Sequence, residues 1–183
     1  MRELIVKTEG TTEPVTVADA KAFVNYIGTD ATYETAIENL AKSARLRLEQ
    51  YCGRNFVEKT MLLNVSDVRI KLELPFGPIR AITSVKVYDS YGVLDSTLVA
   101  DDDYYLIGDF DKYLKLESWF NGSYLQIEYT AGYGANTYAL PQALKDAILM
   151  QTKFDFDHRG TQDRVSIMSE VKNMVGPYRC SFL

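Results

Sequence analysis

The sequence predicts an α+β fold: a helical bundle built from the N- and C-terminal segments, with an inserted antiparallel β-subdomain. Three observations carry this. Apolar residues recur at helical spacing from about residue 16 to 53 and again from 141 to 175, alternation of period two governs residues 69 to 129, and short turn signals separate the alternating runs. Hairpin-length turns in place of helical crossovers exclude a repeating βαβ pattern.

Taken in order, Thr16-Val17-Ala18-Asp19 has the form of a capping box with Asp in the place of Glu. Ala20, Phe23, Val24 and Ile27 then keep helical spacing until Gly28, which predicts a short first helix. From Thr32, the residues Tyr33, Ala36, Ile37, Leu40, Ala41, Ala44, Leu48, Tyr51 and Cys52 form an apolar stripe with a period near 3.6, and Gly53 follows as a stop. Glu34, Glu38, Lys42, Arg45, Arg47 and Glu49 fall mostly off that stripe.

Ile70, Leu72 and Leu74 next alternate with charged residues, Pro75-Phe76-Gly77-Pro78 turns, Val85 and Val87 alternate with Ser84, Lys86 and Tyr88, and Ser90-Tyr91-Gly92 turns again. Leu114 and Leu116, the dipeptide Asn121-Gly122, and Leu125, Ile127 and Tyr129 together predict a tight hairpin. After the loop Thr130 to Asn136, Pro141 suits the first turn of a helix whose Leu144, Ala147, Ile148, Gln151 and Phe154 share a face. A last helix, capped by Asp163 and bearing Ile167, Met168, Val171, Met174 and Val175, ends at Gly176-Pro177, and Tyr178 to Leu183 remain as an extended tail. The expected division is 1–54 for the N-terminal helices, 55–136 for the β-insert and 137–183 for the C-terminal helices and tail, one compact domain with the insert as a subdomain. The chain has no internal repeat, low-complexity tract or Gly/Ser/Pro-rich linker.

The composition suits this. At 183 residues and 20.7 kDa, with 46% hydrophobic and 25% charged residues, surface scaling lets the chain bury about 70% of its unfolded surface. The two cysteines, Cys52 and Cys180, lie far apart with no CxxC spacing, which fits a reducing cytoplasm and excludes a disulfide scaffold or a cysteine-rich zinc module. No stretch reaches the roughly 18 apolar residues of a membrane helix, so no membrane partner is expected. Twenty Lys and Arg against 25 Asp and Glu give a net charge of −5, and residues 61 to 140 hold 11 acids and 6 bases of that total. This argues against a dedicated nucleic-acid binder, because phosphate affinity rests on clustered cations. Thirteen tyrosines fit either strand packing or an assembly surface.

Chemical sites are sparse. The single histidine, His158, sits at a helix end, where a capping role outweighs catalysis because a triad also needs an orienting carboxylate and a nucleophile. Asp101, Asp102, Asp103, Asp109 and Asp111 suggest a calcium loop, but counting from Asp109 puts Leu114 and Phe120 where glycine and glutamate are required. A solvated turn is the better reading. Gly132-Tyr133-Gly134 lacks the Lys-Ser/Thr of a phosphate loop and the third glycine of a dinucleotide fingerprint. Arg45, Arg47 and Arg54 read as a charged outer helix face, and Trp119 and Phe120 beside the Asn121-Gly122 turn read as either a partner anchor or hairpin packing. No catalytic residue, cofactor or metal ligand is expected.

The order of these phrases resembles one family, the head-tail connector (adaptor, or head-completion) proteins of long-tailed double-stranded DNA phages, in the longer version that carries a β-insert. The resemblance lies in Val15-Thr-Val-Ala-Asp-Ala-Lys21, Tyr51-Cys-Gly-Arg54, Leu74-Pro-Phe-Gly-Pro-Ile79 followed by Ile82-Thr-Ser-Val85, Tyr129-Thr-Ala-Gly-Tyr-Gly134, the Leu140 to Ile148 helix start and Pro177-Tyr-Arg179. It spans residues 14 to 183. Gly160 to Asp163 is shorter than the corresponding loop expected in relatives, and short members lack most of the insert, so the insert's job does not carry over.

The resemblance implies a structural, non-enzymatic role at the head-tail junction of a virion, with assembly in the host cytoplasm. Its implied partners are the portal protein, a tail or stopper protein, and further copies of the chain in a dodecameric ring on the portal; a complete core with no continuous heptad seam separately predicts a monomer or weak oligomer for the chain alone. DNA would pass through the ring without specific binding. Asp101, Asp102, Asp103, Asp109 and Asp111 would then face the channel or stay solvated. In the same family C-terminal segments reach toward the portal, which favours docking by Tyr178, Arg179, Phe182 and Leu183 over packing of that tail on its own subunit. The alternatives are another phage tail or baseplate ring component and, more remotely, a small enzyme with a carboxylate site at Asp101 to Asp111.

Overall fold

The structure, a computed structural model, describes residues 2–66, 70–118, 122–134, 139–159 and 166–180. Among these the fold is α+β, with four α-helices and two antiparallel sheets. The chain divides into two units: a sheet unit of Met1–Gly10 and Glu58–Tyr133, and a helical unit of Thr11–Val57 and Gly134–Leu183.

In the helical unit, α1 (Val17–Phe23) begins with the expected capping box. Thr16 Oγ1 accepts from the Asp19 N–H at 3.1 Å while an Asp19 carboxylate oxygen accepts from the Thr16 N–H. The helix ends sooner than its apolar spacing suggests, because Asn25 sits in the left-handed region at φ 59° and breaks the run. Ile27 therefore lies outside the helix and is 96% exposed. Helix α2 (Ala31–Cys52) is capped by Asp30, whose side chain accepts from the Thr32 N–H, and stops at Gly53 with φ 65°, a conformation that glycine adopts without steric penalty. Ile37, Leu40, Ala44, Leu48 and Cys52 form its buried stripe. Helix α3 (Gln142–Asp157) follows Pro141 and buries Leu144, Ala147 and Ile148. Helix α4 (Ser169–Val175) is shorter than expected: Ile167 and Met168 precede it, and the expected cap Asp163 lies outside the described residues. Gly176 does not end the helical path, since Gly176–Tyr178 continues as a 3-10 turn. Within the unit α2 packs on α3, α1 on both, and α4 on α3.

In the sheet unit, β1 (Arg2–Thr8), β2 (Lys59–Val65), β8 (Tyr124–Ala131), β4 (Ile79–Tyr88) and β5 (Leu94–Leu98) form a five-stranded sheet in that order. A three-stranded sheet has the order β3 (Lys71–Glu73), β7 (Tyr113–Leu116), β6 (Tyr104–Ile107). The β4–β5 hairpin follows its turn signal: Gly92 has φ 79°, and the Asp89 carboxylate accepts from the Tyr91 and Val93 N–H groups, both at 2.9 Å.

The expected hairpin across Asn121-Gly122 does not form. Strand β7 pairs with β3 and β6, while β8 pairs with β2 and β4 in the other sheet. Seven residues separate Leu116 from Tyr124, enough for the chain to change sheets; Asn121 itself lies outside the described residues. Both sheets share one core, in which Met61, Leu63, Val85, Leu125, Ile127 and Tyr129 of the larger sheet meet Leu72, Leu114 and Leu116 of the smaller. Tyr129 is buried with its hydroxyl donating to the Pro75 carbonyl at 3.0 Å, and burial raises its pKa well above the ordinary phenol range.

Candidate interaction surfaces

The aspartates of the middle segment are not gathered into one cluster. Asp101, Asp102 and Asp103 precede β6, whereas Asp109 and Asp111 lie in the turn after it, so a four-residue strand of roughly 13 Å holds the two groups apart. Asp103 closes its own turn: its carboxylate accepts from the Val99 N–H at 2.7 Å and its N–H donates to the Val99 carbonyl at 2.9 Å. Asp101 has φ 66° and donates its N–H to the Tyr104 carbonyl, while Asp101, Asp102, Asp109 and Asp111 present exposed side chains. The four exposed aspartates are solvated, and Asp103 is engaged by the backbone of its own turn. Among the described residues no group of three or more His, Cys, Asp or Glu side chains is placed to hold a metal, and no helix is long and apolar enough to cross a membrane.

His158 is the C-cap of α3. Its Nδ1 lies 2.9 Å from the Phe154 carbonyl and its ring stacks on Phe154 at 4.2 Å.

The arginines are not a charged outer face. Arg45 is 1% exposed; its guanidinium donates to Glu13 at 2.7 and 3.0 Å and to Glu49 at 2.9 Å. Desolvation disfavours the Arg45 charge, but hydrogen bonds and attraction from Glu13 and Glu49 more than offset it and hold its pKa above the usual value. Glu49 also accepts from the Phe56 N–H at 2.7 Å, tying the loop after α2 to the helix. Arg47 pairs with the buried Asp155 of α3, whose other oxygen accepts from Gln151. Gln151 in turn donates to the Ser166 carbonyl and accepts from the Met168 N–H, which links α3 to the start of α4. The sequence signal for this network was present in the helical period, since residue 45 shares a face with 37, 41 and 48; the charge concealed it.

The root of the C-terminal tail is fixed to the end of α2. Arg54 Nε donates to the Tyr178 carbonyl at 2.6 Å, the Cys180 N–H donates to the Cys52 carbonyl at 2.7 Å, and the Arg179 guanidinium lies 5.1 Å from the centre of the Tyr51 ring. Tyr178 is half-buried, Arg179 exposed and Cys180 buried. Phe182 and Leu183, and the possible anchor Trp119 and Phe120, lie outside the described residues.

Two shallow clefts mark the helical unit. One of about 220 Å³ is lined by Glu13, Thr16, Glu38 and Lys42 among others, and one of about 500 Å³ by Asp19, Phe23, Gln142, Lys145 and Leu149 among others. Neither is lined by histidine or cysteine among the described residues.

Comparison with solved structures gives this chain's fold a counterpart. A chain in the neck of an empty gene transfer agent (GTA) particle, computed with C6 symmetry, superposes with a TM-score of 0.80 at 19% identity, covering 99% of this chain and 97% of that one. The two share one fold. A chain in the virion of a native GTA particle matches with a TM-score of 0.77 at 18% identity over 98% and 96% of the two chains. A third, in the neck of a native GTA particle computed with C12 symmetry, matches at 0.74 and 21% identity over 100% and 97%. No family model and no curated protein matches the chain.

Proposed function

We propose that this chain is a structural, non-enzymatic head-tail connector (adaptor) subunit of a tailed double-stranded DNA phage or a phage-like particle. Copies form a ring under the portal that extends the DNA channel and receives a tail or stopper protein. One observation carries the reading: the fold likeness runs from end to end of both chains, with a TM-score of 0.80, and its counterpart is a chain in a particle neck. Those necks were computed with sixfold and twelvefold symmetry, which supports a ring as the working assembly, and the twelvefold one supports twelve copies as its size. The phrases from Val15 to Arg179 support the adaptor subtype over other neck proteins.

In this reading the helices act as one bundle, the segment 55–136 is an insert with its own contacts, and Asp101, Asp102, Asp103, Asp109 and Asp111 face the channel or solvent so that DNA slides without sticking. Tyr178, Arg179, Phe182 and Leu183 reach the portal, with Trp119 and Phe120 as a further partner anchor. Electron microscopy of the chain mixed with its portal tests the proposal. A ring of added density on the tail-facing side of the portal is expected. Absence of any portal complex, with binding to tail-tube protein instead, would move the assignment to a tail or baseplate ring. Salt-sensitive tight binding of duplex DNA would overturn the passive channel.

A further inference from the structure

Among the described residues the five-stranded sheet ends in two edge strands, β1 on one side and β5 on the other. Both are exposed along almost their whole length, and both carry apolar residues in water: Ile5 and Val6 on β1, and Val93, Leu94 and Val99 on or beside β5, with Tyr91 at the hairpin tip 91% exposed. Unpaired strand edges of this kind template pairing with another chain, and natural proteins blunt them or cover them. Here Arg2 to Val6 form an unbroken paired run of five residues on β2, without proline.

We infer that successive copies of this chain join edge to edge, β5 of one copy adding alongside β1 of the next. The inference deepens the ring reading above and rests on it. Charge and ring symmetry together favour this pairing. Residues 89 to 103, which contain β5 and its flanks, hold five aspartates (Asp89, Asp95, Asp101, Asp102, Asp103) and no Lys or Arg, whereas β1 and its flank are balanced, Arg2 and Lys7 against Glu3 and Glu9, with Lys7 already paired to Glu128. A symmetric β5-to-β5 junction would set the five aspartates against five more, and like charges across an interface are penalised. Joining β5 to the balanced β1 edge avoids that repulsion, and a cyclic ring of the kind proposed above needs a contact between two different surfaces.

The direction of the strands fits as well. All four pairings in the sheet are antiparallel, so an odd number of strands leaves β1 and β5 running the same way. A head-to-tail junction between such edges is a parallel strand pair, it uses two different surfaces, and it leaves one of each free on the growing assembly. Repetition about an axis closes into a ring. The partner is thus a second copy of this chain, recognised through main-chain pairing, with Ile5 and Val6 against the apolar residues of β5.

Engineered disulfides test this. Ile5 and Thr97 lie on the same outer face of the sheet, since their paired neighbours Leu62 and Lys86 stand opposite Glu128 and Gln126 of β8. Neighbouring strands lie about 4.8 Å apart, within the span a disulfide bridges. The full chain carrying Ile5→Cys and Thr97→Cys, or Glu3→Cys and Thr97→Cys for a register displaced by two, is oxidised mildly at high concentration. Cys52 and Cys180 are buried and leave the wild-type chain as the blank. A ladder of covalent multimers is expected, a mixture of the two single variants should stop at dimers, and adding Val93→Lys and Leu94→Lys should remove the ladder with the circular dichroism spectrum unchanged. Dimers from Thr97→Cys alone in equal amount would overturn the head-to-tail assignment. Rings on electron-microscope grids with no ladder from either pair would overturn the edge junction and leave the ring reading standing. A ladder whose products are only open chains would uphold the junction and remove the ring. Neither ladder nor ring would remove both.

Discussion

Arg45 and Glu49 stand one turn apart on α2, 2.9 Å from nitrogen to oxygen, and are 1% and 2% exposed. Their charges are compensated inside the helical unit: Arg45 also meets Glu13, and Glu49 also receives the Phe56 N–H. Two ions taken out of water hold the segment before α1 and the loop after α2 against the same helix, so the pair works as a clamp.

Breaking a buried pair by removing one partner leaves an uncompensated charge, at about 3–5 kcal/mol. Arg45→Met should therefore lower unfolding stability by about that much in urea. The double variant Arg45→Met/Glu49→Gln should lose less than the sum of the two single changes, because neither charge is then stranded. An Arg45→Met chain within about 1 kcal/mol of wild type would show that the pair does not clamp the fold.

The Cys52 thiol, with its Sγ 4.0 Å from the Val175 carbonyl, has its pKa pushed up to about 11 by burial, against the smaller opposing pull of Arg54 and Arg179. The folded state therefore holds this proton more tightly than the unfolded chain, whose thiol titrates near 9.0. The contribution is fully present below that value and is lost as pH rises through about 11. Stability should fall over this alkaline window in wild type and fall less in Cys52→Ala, with urea titrations at several pH values as the measurement. Thiol reagents at neutral pH should label Cys52 only as fast as the chain opens.

Two glycines predict opposite outcomes. Gly108 has φ 107°, and an added Cβ would meet the Asp111 carbonyl oxygen at 2.9 Å, so Gly108→Ala should destabilise by about 1–3 kcal/mol through backbone strain. Gly176 is in the right-handed helical region with nothing within 4 Å of an added Cβ, so Gly176→Ala should be neutral or stabilise by about 0.4–1 kcal/mol. Melting temperatures of the two variants measure the contrast, and equal shifts would contradict it.

How much of this was legible in the sequence depended on whether the deciding contact is local. The stripe from Ile37 to Cys52, the Thr16–Asp19 box, the Gly53 stop and the Asp89 turn are set within a few residues and were readable. The partner of β7 was not, because strand pairing is a long-range choice and a turn dipeptide does not say which strands pair. Arg45 and Glu49 were misread because a charge at a core position becomes intelligible only once its counter-ion, here Glu13 as well, is brought in from another segment. The run Leu4-Ile5-Val6 was too short to declare itself, and its partner β2 begins about fifty residues later. Of the candidate surfaces, the aspartate turn was readable from composition, while the anchoring of Tyr178 and Cys180 on α2 depends on Arg54 and Cys52 far upstream.

That anchoring divides the tail into two parts with separate expected effects. Tyr178 and Cys180 are held by two hydrogen bonds to the end of α2, one of them from the charged Arg54, and hydrogen bonds to charged groups contribute about 1.5–3 kcal/mol. Arg54→Met should therefore lower stability by about that amount, and truncation after Pro177 should lower it at least as far. Docking on a portal, as proposed, asks more of Phe182 and Leu183, which lie beyond the anchored root. Deleting Ser181 to Leu183 should leave the melting temperature within a degree or so while weakening portal binding, because those three residues then contribute to the complex and not to the fold. Calorimetry on the truncated chain and a pull-down on purified portal separate the two effects. A clear loss of stability on removing only Ser181 to Leu183, or full portal affinity without them, would place the docking contact elsewhere, with exposed Arg179 and half-buried Tyr178 the next positions to replace.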